Sequence, residues 1–273
     1  MNILQEIILY KKLEVAERKK EWTVAQLKGS SHFNEPVYSL KNILDEQKKT
    51  GIIAEFKRRS PSRGEINNSA EVDDVTIAYT KHGASGLSIL TDEKFFGGFV
   101  PDILKARPNK IPILRKDFII DEYQVLATKS FGADVILLIA ACLTPKKLKT
   151  LAAFAKNVGL ETLLEIHTEK ELGHICDEID MVGVNNRDLK TFEVNIDTSL
   201  GLIGKIPEDR PAISESGISS VDTIHTLRRA GFKGFLIGER FMKEEDPGKA
   251  FEKFVSGLVR VESWDQDDPD SDE

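Results

Sequence analysis

The sequence predicts an α/β protein of the (β/α)8, or TIM-barrel, class with an N-terminal helical extension. Beyond residue 51, eight short apolar runs alternate with amphipathic helical stretches, and successive runs start 21 to 34 residues apart. This spacing fits one strand, one loop and one helix per unit, and eight such units match a closed barrel. Several runs are apolar almost throughout, as is typical of parallel strands covered on both faces. An open doubly wound sheet is the main alternative, but no G-x-G-x-x-G motif follows the first strand.

Two helices are expected before the barrel. Residues 3–28 show the spacing of a single amphipathic helix that ends at Gly29, and a shorter helix is predicted over residues 39–50. The apolar face of the first helix is expected to comprise Ile3, Ile7, Tyr10, Leu13 and Ala16. The predicted strands are Ile52–Phe56, Gly86–Leu90, Ile111–Leu114, Asp134–Ile139, Leu160–Glu165, Met181–Val184, Pro211–Ser214 and Gly234–Ile237.

The chain is expected to comprise a helical extension over residues 1–50 packed on the barrel, the barrel over 51–262, and an acidic, disordered tail over 263–273. Six of the ten residues from Trp264 to Glu273 are acidic and none is basic. Without these ten residues the formal net charge changes from −7 to −1. A nearly neutral body gives no electrostatic argument for binding nucleic acid.

The sequence also predicts where the protein works. No run approaches the length of a membrane-spanning helix, and the first residues lack the features of a signal peptide. The two cysteines, Cys142 and Cys176, suit neither a disulfide framework nor a four-ligand metal site. We therefore expect a cytoplasmic enzyme that is a monomer or a weak homodimer, with no metal and with neither nucleic acid nor membrane as a partner.

In barrels of this class the active site lies at the C-terminal ends of the strands. Along the first strand Ile53, Glu55 and Lys57 share one face, and the opposite face is entirely apolar. The apolar face should meet the surrounding helices, which places Glu55 and Lys57 in the barrel mouth. The alternative is a buried ion pair that only fixes packing, but buried charges are costly even when they are paired.

Three further strands end in polar groups. The third ends in Arg115 and Lys116, and strand alternation alone leaves open which of them points inward. The fifth ends at Glu165, and the sixth carries Asn185 and Arg187 on one face. Four strands thus deliver ionisable or amide groups to one rim, which predicts a catalytic site there.

The remaining strand ends predict a phosphate site. Gly217 and Gly238 follow the seventh and eighth strands, where barrel loops often bind phosphate through free backbone N–H groups. The first loop, residues 57–64, holds four cations in eight positions and is predicted to be a mobile basic lid over an anionic substrate. A small phosphorylated molecule is therefore the expected substrate.

Five segments together, in the family's order, resemble the indole-3-glycerol phosphate synthase family of tryptophan biosynthesis. The likeness covers about residues 1–260, including the helical extension. The matching segments are 53–62 (IAEFKRRSPS), 87–92 (LSILTD), 112–119 (PILRKDFI), 183–189 (GVNNRDL) and 214–218 (SESGI).

The resemblance implies a carboxy-lyase that closes the ring of 1-(2-carboxyphenylamino)-1-deoxyribulose 5-phosphate to give indole-3-glycerol phosphate, carbon dioxide and water. It implies no cofactor and no metal. By resemblance Lys116, and not Arg115, protonates or polarises the substrate carbonyl oxygen. Glu55, Lys57 and Glu165 share the acid and base work of losing water, with no residue assigned to a single step.

The resemblance also implies the substrate-binding positions. Asn185 orients a carboxylate or a substrate hydroxyl, and Arg187 faces the substrate carboxylate unless it instead pairs with Asp188. Glu239 stands where a small residue often follows the glycine, so its phosphate contact is expected through the backbone. Rim positions are Glu215 and Ser216; phosphate positions are Ser60, Gly217, Gly238 and Glu239; the apolar slot comprises Phe96, Phe118, Leu137 and Leu189.

Three other functions are compatible with a phosphate-binding barrel. A phosphoribosylanthranilate isomerase would use a cysteine and an aspartate at strand ends, and neither cysteine is predicted there. A Schiff-base aldolase is an alternative because two lysines lie at the mouth, and borohydride trapping with a ketose phosphate would reveal it. A catalytically silent binding protein would be expected to have lost one of four groups, and all are present: Glu55, Lys57, Lys116 and Glu165.

Overall fold

The computed structural model, which describes residues 3–46 and 49–266, is a closed barrel of eight parallel strands. Strands adjacent along the barrel wall are adjacent in the chain, and the first strand pairs with both the second and the last to close the barrel. The predicted fold class is confirmed, and each strand end lies within two residues of its predicted position. The barrel strands are β1 (Ile52–Phe56), β4 (Gly86–Leu90), β5 (Ile113–Lys116), β6 (Val135–Ile139), β7 (Glu161–Ile166), β8 (Met181–Asn185), β9 (Ala212–Glu215) and β10 (Gly234–Ile237).

The first loop of the barrel forms a small antiparallel hairpin of β2 (Arg59–Ser60) and β3 (Gly64–Glu65). Helices follow the barrel strands, and most of them cover the outside of the barrel. They are α4 (Val72–Lys81), α5 (Glu93–Phe96), α6 (Pro101–Ala106), α7 (Glu122–Ser130), α8 (Pro145–Asn157), α9 (Asp197–Leu202), α10 (Val221–Ala230), α11 (Glu239–Met242) and α12 (Pro247–Gln266).

The expectation of one α-helix per unit is wrong between β7 and β8. The connection there contains a 3-10 helix over Glu169–His174 in place of an α-helix. This unit has the shortest spacing in the sequence, and a 3-10 helix rises about 2.0 Å per residue against about 1.5 Å for an α-helix, so it returns along the barrel with fewer residues.

The N-terminal segment differs from the predicted single helix. It forms α1 (Ile3–Glu21) and α2 (Val24–Lys28), because Thr23 begins a new helix with a capping box. The backbone N–H of Thr23 donates to the Gln26 side chain at 2.8 Å, and the N–H of Gln26 donates back to the Thr23 hydroxyl at 3.3 Å. The helix α2 ends at Gly29, as predicted.

The face that α1 buries also differs from the predicted one. The buried residues of α1 are Ile7, Lys11 and Val15, whereas Leu13 is 67% exposed. The hydrophobic pattern misleads here because the central position of the buried stripe is a lysine, whose ammonium is held by carboxylates of the barrel. A fully buried lysine is stable only with such partners.

The third helix, α3 (Leu40–Glu46), closes the N-terminal end of the barrel. Its side chains Leu40 and Leu44 belong to the apolar cluster that fills the barrel interior. The Glu161 carboxylate holds the start of this helix by accepting the backbone N–H groups of Leu40 at 2.8 Å and Lys41 at 3.1 Å. With one end closed, the opposite end of the barrel is left for a substrate cavity.

The last helix, α12, continues to Gln266, past the expected barrel boundary at residue 262. The rest of the expected acidic tail, residues 267–273, lies outside the described residues. Across the described ranges, no helix has both the length and the apolar character needed to cross a bilayer.

Candidate active site

A cavity of about 560 Å³ opens at the C-terminal ends of the barrel strands. All sixteen positions named from the sequence line it, and side chains of α1 cover one side. The α1 residues on the cavity wall are Ile3, Leu4 and Ile7. The four strands that end in ionisable or amide groups, the N-terminal helix and the two glycine turns thus meet around one cavity.

The Lys116 ammonium lies between two carboxylates in this cavity. Its Nζ lies 2.7 Å from Oε2 of Glu165 and 2.5 Å from Oε2 of Glu215. Arg115 points to the opposite face of β5, where it pairs with Asp117 at 2.8 Å. Lys116 is therefore the inward residue of the two that strand alternation left open.

The surroundings keep Lys116 charged. Burial alone would lower its pKa, but the carboxylates of Glu165, Glu215 and Glu55 raise the pKa above its ordinary value. Lys116 is therefore an ammonium at neutral pH, able to donate a proton but unable to act as a free amine. An amine nucleophile for a Schiff base must be neutral, so this environment disfavours the aldolase alternative.

The two carboxylates on Lys116 have different pKa values. Burial raises the pKa of Glu215 to about 7, against the attraction of Lys116 and with repulsion from Glu165. Burial acts in the same direction on Glu165, but Lys116 and His167 outweigh it and hold the pKa of Glu165 well below its usual range. One carboxylate is thus firmly ionised and the other is poised to exchange a proton near neutrality.

A second lysine–carboxylate pair lies beside the first. Nζ of Lys57 is 2.8 Å from Oε1 of Glu55, whose other oxygen accepts the Ser88 hydroxyl at 3.3 Å. Gly238 packs directly against this carboxylate, because a Cβ at position 238 would lie 2.6 Å from Oε1 of Glu55. Only glycine lets the loop after β10 pass this close to the pair.

Asn185 is the last residue of β8, and Arg187 follows it; both line the cavity. The side-chain oxygen of Asn185 accepts the backbone N–H of Arg187 at 3.0 Å. The Arg187 guanidinium lies 3.3 Å from Oε2 of Glu239, whose Oε1 is 3.0 Å from Nε of Arg63. The alternative pairing of Arg187 with Asp188 is wrong, since that carboxylate accepts backbone N–H groups of its own turn.

The basic first loop is anchored to the barrel. Arg58 pairs with Asp102 at 2.5 Å, and Arg59 donates to backbone carbonyl groups of α5. These two cations therefore face away from the cavity, whereas Lys57 and Arg63 line it. The predicted basic lid supplies two cations to the site in place of four.

The positions expected to bind phosphate follow three adjacent barrel strands, β9, β10 and β1. Ser216 and Gly217 both adopt left-handed backbone conformations, with φ of 67° and 77°. A Cβ on Gly217 would lie 2.5 Å from a methyl carbon of Val194, so the turn requires glycine. Ser60, after β1, and Gly238, after the neighbouring strand β10, also line the cavity.

Apolar side chains form another part of the cavity wall. The rings of Phe96 and Phe118 lie 6.0 Å apart between centroids and are tilted by 41°. Phe96 is carried by α5, whose first turn is capped by the Asp92 carboxylate, which accepts the N–H of Phe95 at 2.8 Å. Leu137 and Leu189 also face the cavity, as do three residues that the sequence did not indicate: Phe192, Val194 and Ile218.

Sequence reasoning missed two buried charged residues next to the site, Lys11 and His167. His167 lies two residues after Glu165, and the strand period of two places both side chains on one face. This period could have identified His167 as a residue near the site. No comparable signal marked Lys11. In the described part of the chain, no group of three His, Cys, Asp or Glu side chains is arranged to hold a metal ion.

Comparisons with known proteins identify relatives over nearly the whole chain. Residues 4–254 match the family model for indole-3-glycerol phosphate synthase. A protein of that name from Bacteroides thetaiotaomicron is 48% identical over 258 residues, covering 94% of this chain and 99% of the relative. Proteins of the same name from Polaromonas sp. and Bordetella pertussis are 41% and 36% identical, over 91% and 93% of this chain and 96% and 99% of theirs.

Solved structures show the same fold at low sequence identity. Tryptophan synthase subunit alpha from Legionella pneumophila superposes with a TM-score of 0.59 at 12% identity, over 81% of this chain and 96% of that chain. Thiamine phosphate pyrophosphorylase from Pyrococcus furiosus gives 0.57 at 15% identity, over 79% and 98%. The structural likeness shows the barrel, whereas the sequence matches show more: the chain belongs to the indole-3-glycerol phosphate synthase family, carboxy-lyases that close the indole ring in tryptophan biosynthesis.

Proposed function

We propose that the two lysine–carboxylate pairs at the barrel mouth carry the ring closure, with Lys116 as the acid for the carbonyl oxygen. The observation that carries this proposal is the position of the Lys116 ammonium, fixed between Glu165 and Glu215 in the cavity. A preorganised cation stabilises charge that develops on oxygen in a buried site more strongly than it would in water.

In the first step, the ring carbon that bears the carboxylate forms a bond to the substrate carbonyl carbon. The carbonyl oxygen then gains a proton and becomes a hydroxyl. Lys116 donates this proton. Glu215, with its pKa near 7, is hydrogen-bonded to Lys116 and can return a proton to it. Loss of the carboxyl group as carbon dioxide leaves its bonding electrons in the ring and restores aromaticity.

In the later step, the hydroxyl leaves as water, which needs an acid for the departing oxygen and a base for a proton of the new ring. Lys57 and Glu55 form the second charged pair in the cavity, and Glu165 is the ionised carboxylate next to Lys116. We propose that these three residues share this work, with Asn185 orienting the reacting groups.

The lining supports one orientation of the substrate. We propose that the phosphate binds beside Ser60, Gly217, Gly238 and the backbone of Glu239, which follow adjacent strands, and that the aromatic ring binds against the apolar wall. That wall comprises Phe96, Phe118, Leu137 and Leu189, and Glu215 and Ser216 line the rim. Arg187 is the cation placed for the substrate carboxylate.

A single-turnover experiment that follows carbon dioxide and indole fluorescence separately tests the division of labour. In Glu55→Gln we expect carbon dioxide release to continue while indole formation slows by about 10²-fold or more, because proton transfer in the later step is lost. The matched control is Glu65→Gln, an exposed carboxylate of the loop that follows β1, which should behave as wild type. Equal slowing of both products in Glu55→Gln would place Glu55 in the first step.

Glu239 provides a test of the phosphate end. Its carboxylate is turned toward Arg63 and Arg187, so the substrate phosphate meets an anion nearby. In Glu239→Ser we expect inorganic phosphate to inhibit two- to five-fold more strongly, since removing one partly exposed like charge is worth up to about 1 kcal/mol. Competitive inhibition constants for phosphate measure this, and weaker inhibition in the variant would show that Glu239 instead holds the arginines in their binding positions.

We also propose that the protein acts in the cytoplasm, as a monomer or a weak homodimer, with a small-molecule substrate and no nucleic acid partner. The near-neutral body and the two free cysteines support this. Sedimentation velocity over a range of protein concentrations, with and without duplex DNA, tests it; a stable higher oligomer or co-sedimentation with DNA would contradict it.

A further inference from the structure

His167 is a buried histidine next to the proposed catalytic groups that the mechanism above does not use. Its side chain is 8% exposed and lies between two carboxylates. Nε2 is 3.3 Å from Oε1 of Glu165, and Nδ1 is 3.6 Å from Oε2 of Glu171. Neither ring nitrogen has an aligned hydrogen bond, so the imidazole is held by charge and packing.

The two oxygens of Glu165 have different partners. Oε2 accepts the Lys116 ammonium at 2.7 Å, and Oε1 faces His167. Glu171 in turn fixes the backbone of His167 by accepting its N–H at 2.6 Å and that of Thr168 at 3.2 Å. The side chains therefore form a row of alternating charge that runs from the cavity to the start of the 3-10 helix.

Burial opposes a charge on His167, but the two carboxylates raise its pKa to about 10. The imidazole is therefore a cation at neutral pH. The Lys116 ammonium contacts both Glu165 and Glu215. His167 contacts Glu165 but not Glu215. The titratable groups facing Glu165 or His167 are Lys116 from β5, Cys142 after β6, Glu215 from β9 and Glu171 of the 3-10 helix.

We propose that His167 is a positioning residue for the reaction: its imidazolium fixes the second oxygen of Glu165 and keeps that carboxylate ionised as the acceptor for Lys116 and for the substrate proton. This inference rests on the catalytic role proposed for Glu165. Outer partners of this kind commonly change activity by about 10- to 100-fold when they are removed, as known for ligand-orienting groups in metal sites.

The test is the pH profile of His167→Asn and His167→Gln. Without the imidazolium the pKa of Glu165 rises, so less of the carboxylate is ionised at a given pH. We expect the acid limb of the kcat/KM profile to move to higher pH by about one unit or more, so that activity below that limb falls about tenfold or more and approaches the wild-type value as the pH rises toward 7. A structural role alone would lower activity equally at every pH, and that result would overturn the proposal.

The matched control is His82→Asn, which removes a histidine 3.7 Å from Glu252 on the outside of the barrel. It should leave the pH profile unchanged. A second measurement uses the wild-type protein and so does not depend on a variant that folds. The ring signals of His167, followed by NMR, should show no titration up to about pH 9. Titration near the ordinary histidine value of about 6.5 would overturn the proposal.

Glu165→Gln separates failure of this inference from failure of the proposed function. If Glu165→Gln keeps wild-type activity, the catalytic role of Glu165 is wrong and the inference falls with it. If Glu165→Gln is inactive but the His167 variants keep the wild-type pH profile, only the inference is wrong.

Discussion

Lys116→Met is expected to lower kcat/KM by about 10³- to 10⁴-fold, the largest loss of activity among the substitutions considered. Methionine preserves an unbranched side chain of similar length but removes the cation between Glu165 and Glu215. The loss exceeds that of a single proton donor because the cation that lowers the pKa of both carboxyl groups is removed with it. Steady-state indole fluorescence with the carboxyphenylamino-deoxyribulose phosphate measures the effect.

The control for this substitution is Lys233→Met, which breaks a partly exposed ion pair to Asp45 (2.8 Å) on the N-terminal side of the barrel. It should keep wild-type activity and lose at most about 1 kcal/mol of stability. Thermal unfolding of both variants separates misfolding from loss of chemistry. Retention of more than about a tenth of the activity in folded Lys116→Met would rule out Lys116 as the acid.

The barrel could be predicted from sequence because its signal is repeated eight times. Each strand is a short apolar run, and the two-residue period of β1 correctly separates the outer residues Ile52, Ala54 and Phe56 from inward Ile53. The positions around the mouth followed from the rule that strand ends of such barrels meet at one rim. Their arrangement around one cavity could therefore be predicted from the fold alone, without side-chain coordinates.

Other features depend on tertiary partners that no local pattern contains. Arg58 and Arg59 look like lid cations in sequence, but Asp102 and the backbone of α5 hold them away from the cavity. Likewise a glutamate is unexpected at position 239, beside the expected phosphate positions, but its carboxylate pairs with Arg63 and Arg187. In each case, the partner lies far along the chain, so periodicity and motif spacing carry no information about the contact.

Lys11 is the strongest example, and Lys11→Met is expected to lower the free energy of unfolding by about 3–5 kcal/mol. Its fully buried Nζ lies 2.7 Å from Glu14, 2.9 Å from Asp92 and 2.9 Å from Asp117. Removing the ammonium leaves buried carboxylates without their cation, which is costlier than losing the attraction alone. Urea unfolding at pH 7 measures the change, and Lys12→Met, an exposed neighbour on α1, should change stability by no more than about 0.5 kcal/mol.

The same substitution has a defined pH dependence. Burial alone would raise the pKa of Asp117, but Lys11 and Arg115 hold it well below its usual range. A depressed carboxyl pKa contributes stability above its unfolded value of about 3.9 and loses it as the pH falls. The stability difference between wild type and Lys11→Met should therefore be full at pH 7 and narrow below about pH 4. A difference that stays constant with pH would show that Lys11 acts through packing and not through charge.

Lys11 also links the N-terminal helix to the active site. Asp117 follows Lys116 directly, and Asp92 caps the short helix that carries Phe96. Loss of Lys11 releases both contacts of α1 with these residues, so Lys11→Met should raise KM for the aromatic substrate as well as lower stability. An unchanged KM in the folded variant would mean that α1 stabilises the barrel without shaping the ring-binding wall. A raised KM would make the buried lysine part of how the fold builds its substrate slot.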